Sequence, residues 1–177
     1  MDNNDEMIRM AGIVGDSITD GPGLRVAVFV QGCPHHCKGC HNPTTHDFEG
    51  GTPASVDDVY KIIKKHPLIK GVTFSGGEPF CQASPLAVLA KRIKADGLEL
   101  AVYSGYTFEE LMKLSKNDES VLELLKYCDT LIDGRFVLAQ RSLSIRFRGS
   151  KNQRIIDVPK SLKEGRAVLD TTERWNG

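Results

Sequence analysis

Apolar residues recur along this chain with two different periods, and the switches between them outline the fold. Leu24 to Gln31 is an apolar run rich in Val and Phe, the pattern of a strand buried on both faces of a parallel sheet. Met7 to Val14 alternates loosely and predicts a short strand before the turn at Gly21-Pro22-Gly23. Gly71 to Ser75, Leu98 to Ser104 and Thr130 to Asp133 repeat the strand signal. Between these runs the period becomes helical. Ser55, with Asp58 three residues later, predicts an N-cap for a helix whose apolar face is Val56, Val59, Tyr60, Ile62 and Ile63, and which Pro67 ends. Ser84 to Ala95 predicts a second helix, with Pro85 in its first turn and Gly97 as its stop. Thr107 and Glu110 have capping-box spacing for a third helical region, which breaks near Asn117-Asp118 and resumes from Val121 to Tyr127. Pro43 to Pro53 reads as a polar loop.

Strand and helix in alternation imply right-handed crossovers and parallel strands with outer helices. A complete eight-fold barrel takes about 250 residues. This chain has 177, so the expectation is an α/β fold built as an incomplete barrel, open at one side. Neither an internal repeat nor a low-complexity linker interrupts it. Residues 1–177 are therefore expected to form a single domain, with its core at about 8–158 and a loosely held polar tail at about 159–177 that contains Trp175.

Three of the five cysteines, Cys33, Cys37 and Cys40, fall within eight residues, directly after the Leu24 run. Three thiols so close cannot be three disulfide halves, and the spacing points to metal or catalysis. A closed zinc site would need a fourth ligand, for which His35, His36, His41, His46, Cys81 and Cys128 are nominal candidates, but no second short Cys or His pair exists. A cubane iron-sulfur cluster normally takes four thiolates, so three would leave one iron open for chemistry. Spacing favours the cluster and leaves zinc as the alternative. Cys81 and Cys128 read as small structural hydrophobes, and His35, His36, His46 and His66 as loop or surface residues.

Cys33-x-x-x-Cys37-x-x-Cys40 resembles the radical S-adenosylmethionine (SAM) signature. Asp20-Gly21-Pro22-Gly23-Leu24-Arg25, Phe29-Val30-Gln31-Gly32-Cys33 and Cys40-His41-Asn42-Pro43 look like the glycyl-radical activating enzymes, and Ser75-Gly76-Gly77-Glu78-Pro79 matches their second motif. The short length and Asn152-Gln153-Arg154 look most like the branch that serves anaerobic ribonucleoside-triphosphate reductase, and the resemblance runs from about Arg9 to about Asp157. It implies an oxidoreductase with an open (β/α) barrel of the radical SAM type. In such an enzyme Cys33, Cys37 and Cys40 hold a 4Fe-4S cluster, and the amino and carboxylate groups of SAM chelate the fourth iron. Reductive cleavage of SAM then yields methionine and a 5'-deoxyadenosyl radical, which abstracts hydrogen from a glycine of the partner. That partner would be the large subunit of the reductase, and the electron donor a protein such as flavodoxin.

The same resemblance assigns the SAM ammonium to Gly76, Gly77 and Glu78. Ser104, Asp133 and Arg135 follow strands and could reach the SAM carboxylate or ribose, although turn chemistry explains them equally well. Many radical SAM proteins carry an aromatic residue beside adenine where this chain has Gly39, so His41 or the backbone of Gly39 and Cys40 would have to serve. Two alternatives stay open: activation of pyruvate formate-lyase or another radical SAM substrate, and a zinc- or iron-sulfur-binding module without SAM chemistry.

Charge adds exclusions. With 23 basic and 23 acidic residues, the balance argues against bulk electrostatic binding to nucleic acid or a membrane, and no run approaches the about 20 apolar residues of a membrane span. Met1 to Glu6 is polar and acidic, unlike a signal peptide, so a reducing cytoplasm is expected. Gly134 to Ile156 departs from the balance. It contains Arg135, Arg141, Arg146, Arg148, Lys151 and Arg154 and no acidic residue, which suits either a solvated edge or a surface that steers an acidic partner.

Overall fold

The structure is a computed structural model that describes residues 6–177; Met1 to Asp5, most of the stretch expected not to be a signal peptide, lie outside the described residues. The strands are β1 (Met7–Ser17), β2 (Arg25–Val30), β3 (Thr52–Ser55), β4 (Gly71–Gly76), β5 (Glu99–Tyr103), β6 (Thr130–Asp133) and β7 (Arg154–Asp157). They form one seven-stranded sheet of order β3-β1-β2-β4-β5-β6-β7, which does not close. The helices are α1 (Val56–Lys64), α2 (Ala83–Ala95), α3 (Phe108–Leu114), α4 (Glu119–Tyr127), α5 (Val158–Glu164) and α6 (Glu173–Asn176). No helix is long and apolar enough to cross a membrane, among the described residues.

The expectation of parallel strands holds only at the centre. β2, β4, β5 and β6 run parallel because helical crossovers connect them, whereas β1, β3 and β7 pair antiparallel with their neighbours. Only a short turn joins β1 to β2, and too little chain lies there for a crossover. The predicted caps form: Ser55 Oγ accepts from Asp58 N at 3.0 Å, and Thr107 and Glu110 make a reciprocal capping box.

Two strands escape the sequence pattern. β3 lies in the expected polar loop and contains Pro53; it sits at the edge of the sheet, where a residue without an N–H is tolerated. β7 lies in the basic stretch and pairs with β6 through Leu131↔Ile156 and Ile132↔Ile155. Its two inward residues are too few to display a period.

Side chains alternate between the faces of the sheet. On one face Val26, Val28, Val30, Val72, Phe74, Leu100 and Val102 join α1 to α4 in the main core, through Val59, Leu86, Leu89, Leu111 and Leu124. On the other face Ala101, Ile132 and Ile155 form a second cluster that Trp175 completes. The expected loose tail is therefore docked. Asp157 caps α5 by accepting from Lys160 N, Gly165 ends it in the left-handed conformation, and Trp175 of α6 is 1% exposed. Arg174 pairs with Glu99 at the start of β5, where the buried Arg25 also bonds Glu99, Thr73 Oγ1 and Val72 O.

Among the described residues Trp175 Nε1 has no hydrogen-bond partner, and the ring is held by packing, including Phe147 at 5.3 Å between centroids. Trp175→Ala should lower unfolding free energy by about 3–5 kcal/mol in urea denaturation, and Trp175→Phe by clearly less. A loss below about 0.5 kcal/mol for the Ala variant would show that the tail contributes no core.

Candidate metal centre

β2 delivers the cysteine loop, and Gln31 closes it. The Gln31 side chain, 5% exposed, donates from Nε2 to Thr44 O at 2.9 Å and Asp47 O at 2.7 Å, while Gly32 N and Cys33 N donate to Thr45 O and His46 O. Gly32 has φ +98°, and a Cβ there would lie 2.5 Å from the Phe48 ring. Within this clasp Cys33 is buried and Cys37 and Cys40 are half-buried, all as free thiols. Cys40 N donates to Cys37 O at 3.1 Å, and Asn42 N approaches Cys40 Sγ at 3.4 Å. Burial pushes the Cys33 thiol up from its ordinary pKa, and nearby Glu78 acts in the same direction.

The three cysteines line a cavity of about 150 Å³ together with Gly76, Gly77 and Ser104. It opens at the carboxyl ends of β2, β4 and β5, where sites collect in parallel α/β folds. His41, Asn42, Ser75, Tyr103, Phe136 and Gln153 line it too, and the same side chains line a larger cleft of about 780 Å³ on the sheet face opposite the main helix layer. Among the described residues no three His, Cys, Asp or Glu side chains converge tightly enough for a single ion; the thiols stand around the cavity instead.

Gly76 and Gly77 belong to the cavity for a steric reason. Gly76 has φ +96° and a Cβ there would meet Val30 main chain at 2.6 Å; one on Gly77 would meet Gly32 O at 2.3 Å. Gly77 N and Glu78 N donate to Val30 O and Gly32 O, both at 2.8 Å. The two glycines therefore lock the end of β4 onto the cysteine loop and leave bare main chain facing the cavity.

Glu78 ties together the segments around the cavity. It is fully buried, does not line the cavity, and its carboxylate bonds His35 Nε2 at 2.7 Å, Gly105 N at 2.8 Å, Ser104 Oγ at 2.9 Å and Phe80 N at 3.0 Å. His35, expected as a loop or surface residue, lies in the cysteine loop and is this partner: its side chain is 5% exposed and packs edge-on against Tyr106 at 4.5 Å.

Ser104 reaches both the carboxylate and the cavity. Asp133 and Arg135 stay out of it. Asp133 is 1% exposed, accepts from Phe108 N at 2.8 Å and pairs with Arg154, whereas Arg135 pairs with Glu110 at 3.2 Å. The turns after β6 aim both side chains toward α3 and β7.

Gly39, at φ +79°, is roofed by Leu138 and Phe136, which a Cβ there would meet at 3.0 and 3.3 Å, and His41 lies 5.2 Å from the Phe136 ring. An aromatic wall thus exists beside Gly39, but it comes from a stretch without periodicity where nothing local marks Phe136. Tyr103 could have been found as the last residue of β5, on the face opposite Val102.

The family model described as "4Fe-4S single cluster domain" matches residues 19–156. The anaerobic ribonucleoside-triphosphate reductase-activating protein of Vibrio cholerae is 38% identical over 144 residues, 77% of this chain and 89% of that protein. Proteins of the same name from Pasteurella multocida and Escherichia coli are 38% and 31% identical over 77% of this chain, covering 89% and 90% of their own lengths. This chain belongs to that family of activating proteins and carries its 4Fe-4S cluster domain. Family membership favours an iron-sulfur cluster over the zinc that spacing left open. The free thiols fit it chemically, being soft donors with a main-chain N–H directed at one sulfur.

Because Glu78 holds four separate donors, Glu78→Ala should destabilise the metal-free protein by about 3–5 kcal/mol, read from denaturant midpoints. A loss under about 1 kcal/mol would mean that the donors find other acceptors and that the carboxylate is not the tie described here.

Proposed function

We propose that this protein is an oxidoreductase of the radical SAM type that activates anaerobic ribonucleoside-triphosphate reductase by generating a glycyl radical on its large subunit. The observation that carries the reading is the meeting of Cys33, Cys37 and Cys40 with the main chain of Gly76 and Gly77 in one cavity, in a member of the activating-protein family. The four parallel strands with the cavity at their carboxyl ends support an incomplete, open (β/α) barrel. The relatives' names favour the reductase over pyruvate formate-lyase as partner.

In this reading Cys33, Cys37 and Cys40 hold the cluster, and the Gln31 clasp and the Glu78 bonds fix the loop that presents them. When bound, the cluster supplies the low-potential electron with which SAM is cleaved to methionine and the 5'-deoxyadenosyl radical that takes hydrogen from the partner's glycine. Main-chain carbonyls of Gly76 and Gly77, which line the cavity, accept from the SAM ammonium, a role Glu78 cannot take while its oxygens are engaged. Ser104 contacts the polar part of SAM, and Phe136, with His41 tilted against it, offers the adenine an aromatic face beside Gly39. The protein works in the cytoplasm as a single domain, with a reductant such as flavodoxin.

Cys33→Ala, Cys37→Ala and Cys40→Ala should each abolish cluster formation on anaerobic reconstitution, measured as iron and sulfide content and by EPR, with loss of SAM cleavage. Cys81→Ala and Cys128→Ala should keep both; Cys81 is exposed and Cys128 is buried against α4. Stoichiometric zinc without sulfide in the anaerobically purified protein would sink the reading.

A further inference from the structure

The loop between β6 and β7 is more ordered than the cavity requires, and it displays what an isolated protein has no use for. Its base is stapled by Gln153, whose Oε1 accepts from Gly149 N at 2.7 Å and Ser150 N at 3.1 Å while Nε2 donates to Gly134 O at 3.0 Å. Asn152 Nδ2 adds a bond to Arg135 O at 2.8 Å, and Arg141 bridges Ser150 across the loop. Farther out, Phe147 has φ +57°, a conformation that costs an aromatic residue free energy and persists only when its surroundings hold it. Two contacts do so: Trp175 against its ring, and Tyr103, whose hydroxyl donates to Phe147 O at 2.8 Å.

The loop so fastened presents Leu143, which is 89% exposed, among Arg141, Arg146, Arg148 and Lys151. Arg135 and Arg154 find carboxylates nearby, but none of these four cations is in an ion pair among the described residues, and the stretch contains no acid to neutralise them. Arg141, Leu143, Ile145 and Arg148 line the 780 Å³ cleft, which leads past Phe136 to the cysteine cavity. An exposed apolar side chain in a stretch of uncompensated cations, at the entrance to a site, has the composition of an interface anchor within a polar rim.

We propose that this loop is the docking element for the partner polypeptide: the partner's facing surface is acidic, receives Leu143 in an apolar pocket, and feeds its reacting segment through the cleft. The proposal rests on the reading that the partner is the large subunit of the anaerobic reductase. Rim charges act mainly on association and are screened by salt, whereas a buried anchor acts on dissociation. The two kinds of side chain therefore have separable signatures.

The test uses the reconstituted full-length protein and the purified large subunit, with binding kinetics measured anaerobically. The double variant Arg146→Gln, Lys151→Gln should associate about five- to tenfold more slowly at about 50 mM salt, with the difference gone by about 0.5 M. Leu143→Ser should dissociate about tenfold faster with an unchanged melting temperature. Partner-free cleavage of SAM to 5'-deoxyadenosine, driven by a chemical reductant, should be unaltered in the double variant, whose two side chains line neither cavity. If both variants bind as the wild type does, the docking role is overturned while the activase reading stands. If the wild type cleaves SAM yet does not bind the large subunit, the choice of partner is wrong and the docking proposal fails with it. Loss of partner-free cleavage in the double variant would assign the loop to the cofactor site instead, and overturn docking.

Discussion

Taking a carboxylate fully out of water costs several kcal/mol unless its oxygens are bonded, and Glu78 meets that condition by drawing on segments far apart in sequence. His35 comes from the cysteine loop, Phe80 from the turn after β4, and Ser104 and Gly105 from the end of β5. Each gives up a donor that would otherwise be buried unpaired. The requirement is mutual, and so the walls of the cavity stand or fall together. Cys33 is held two residues from His35, Gly77 one residue from Glu78, and Ser104 is itself a wall. The carboxylate sets the shape of the site without entering it.

That arrangement depends on the sheet having two unlike faces. Valine, leucine and phenylalanine on one face bury against the helices and supply most of the apolar core. The other face carries Phe29, Ser75 and Tyr103, which are left for the cleft, and it is sealed toward the amino ends of the strands by Arg25, Glu99, Arg174 and Trp175. Closure at one end and access at the other follow from where Arg174 and Trp175 of α6 dock. The last short helix does the sealing, and its tryptophan also supports Phe147 in the loop at the mouth.

Asn152 and Gln153 take on a local meaning in this setting. Their side-chain amides satisfy main-chain groups of the loop from Gly134 to Ser150, where no strand or helix could do so. Arg154 then anchors the returning strand by pairing with Asp133 and Glu109, and these carboxylates hold its guanidinium pKa above the ordinary value. The polar triplet thus closes a loop in which no apolar side chain is fully buried.

By itself the sequence determined the four central strands, the helices between them with their caps at Ser55 and Thr107, and the close grouping of Cys33, Cys37 and Cys40. These are readable because hydrophobic period, capping chemistry and close cysteine spacing are local, repeated signals. Only the tertiary structure decided that Glu78 and His35 bond each other, that Asp133 and Arg135 turn away from the cavity, and that Phe136 lies over Gly39. It also decided that β3, β7 and Trp175 complete the sheet and its second face. Such pairings join residues tens of positions apart, and a buried side-chain hydrogen bond, an edge strand of four residues or a single docked tryptophan leaves no period in the chain. Their positions follow from which polar groups must be satisfied once the core has formed, and that is a property of the folded chain alone.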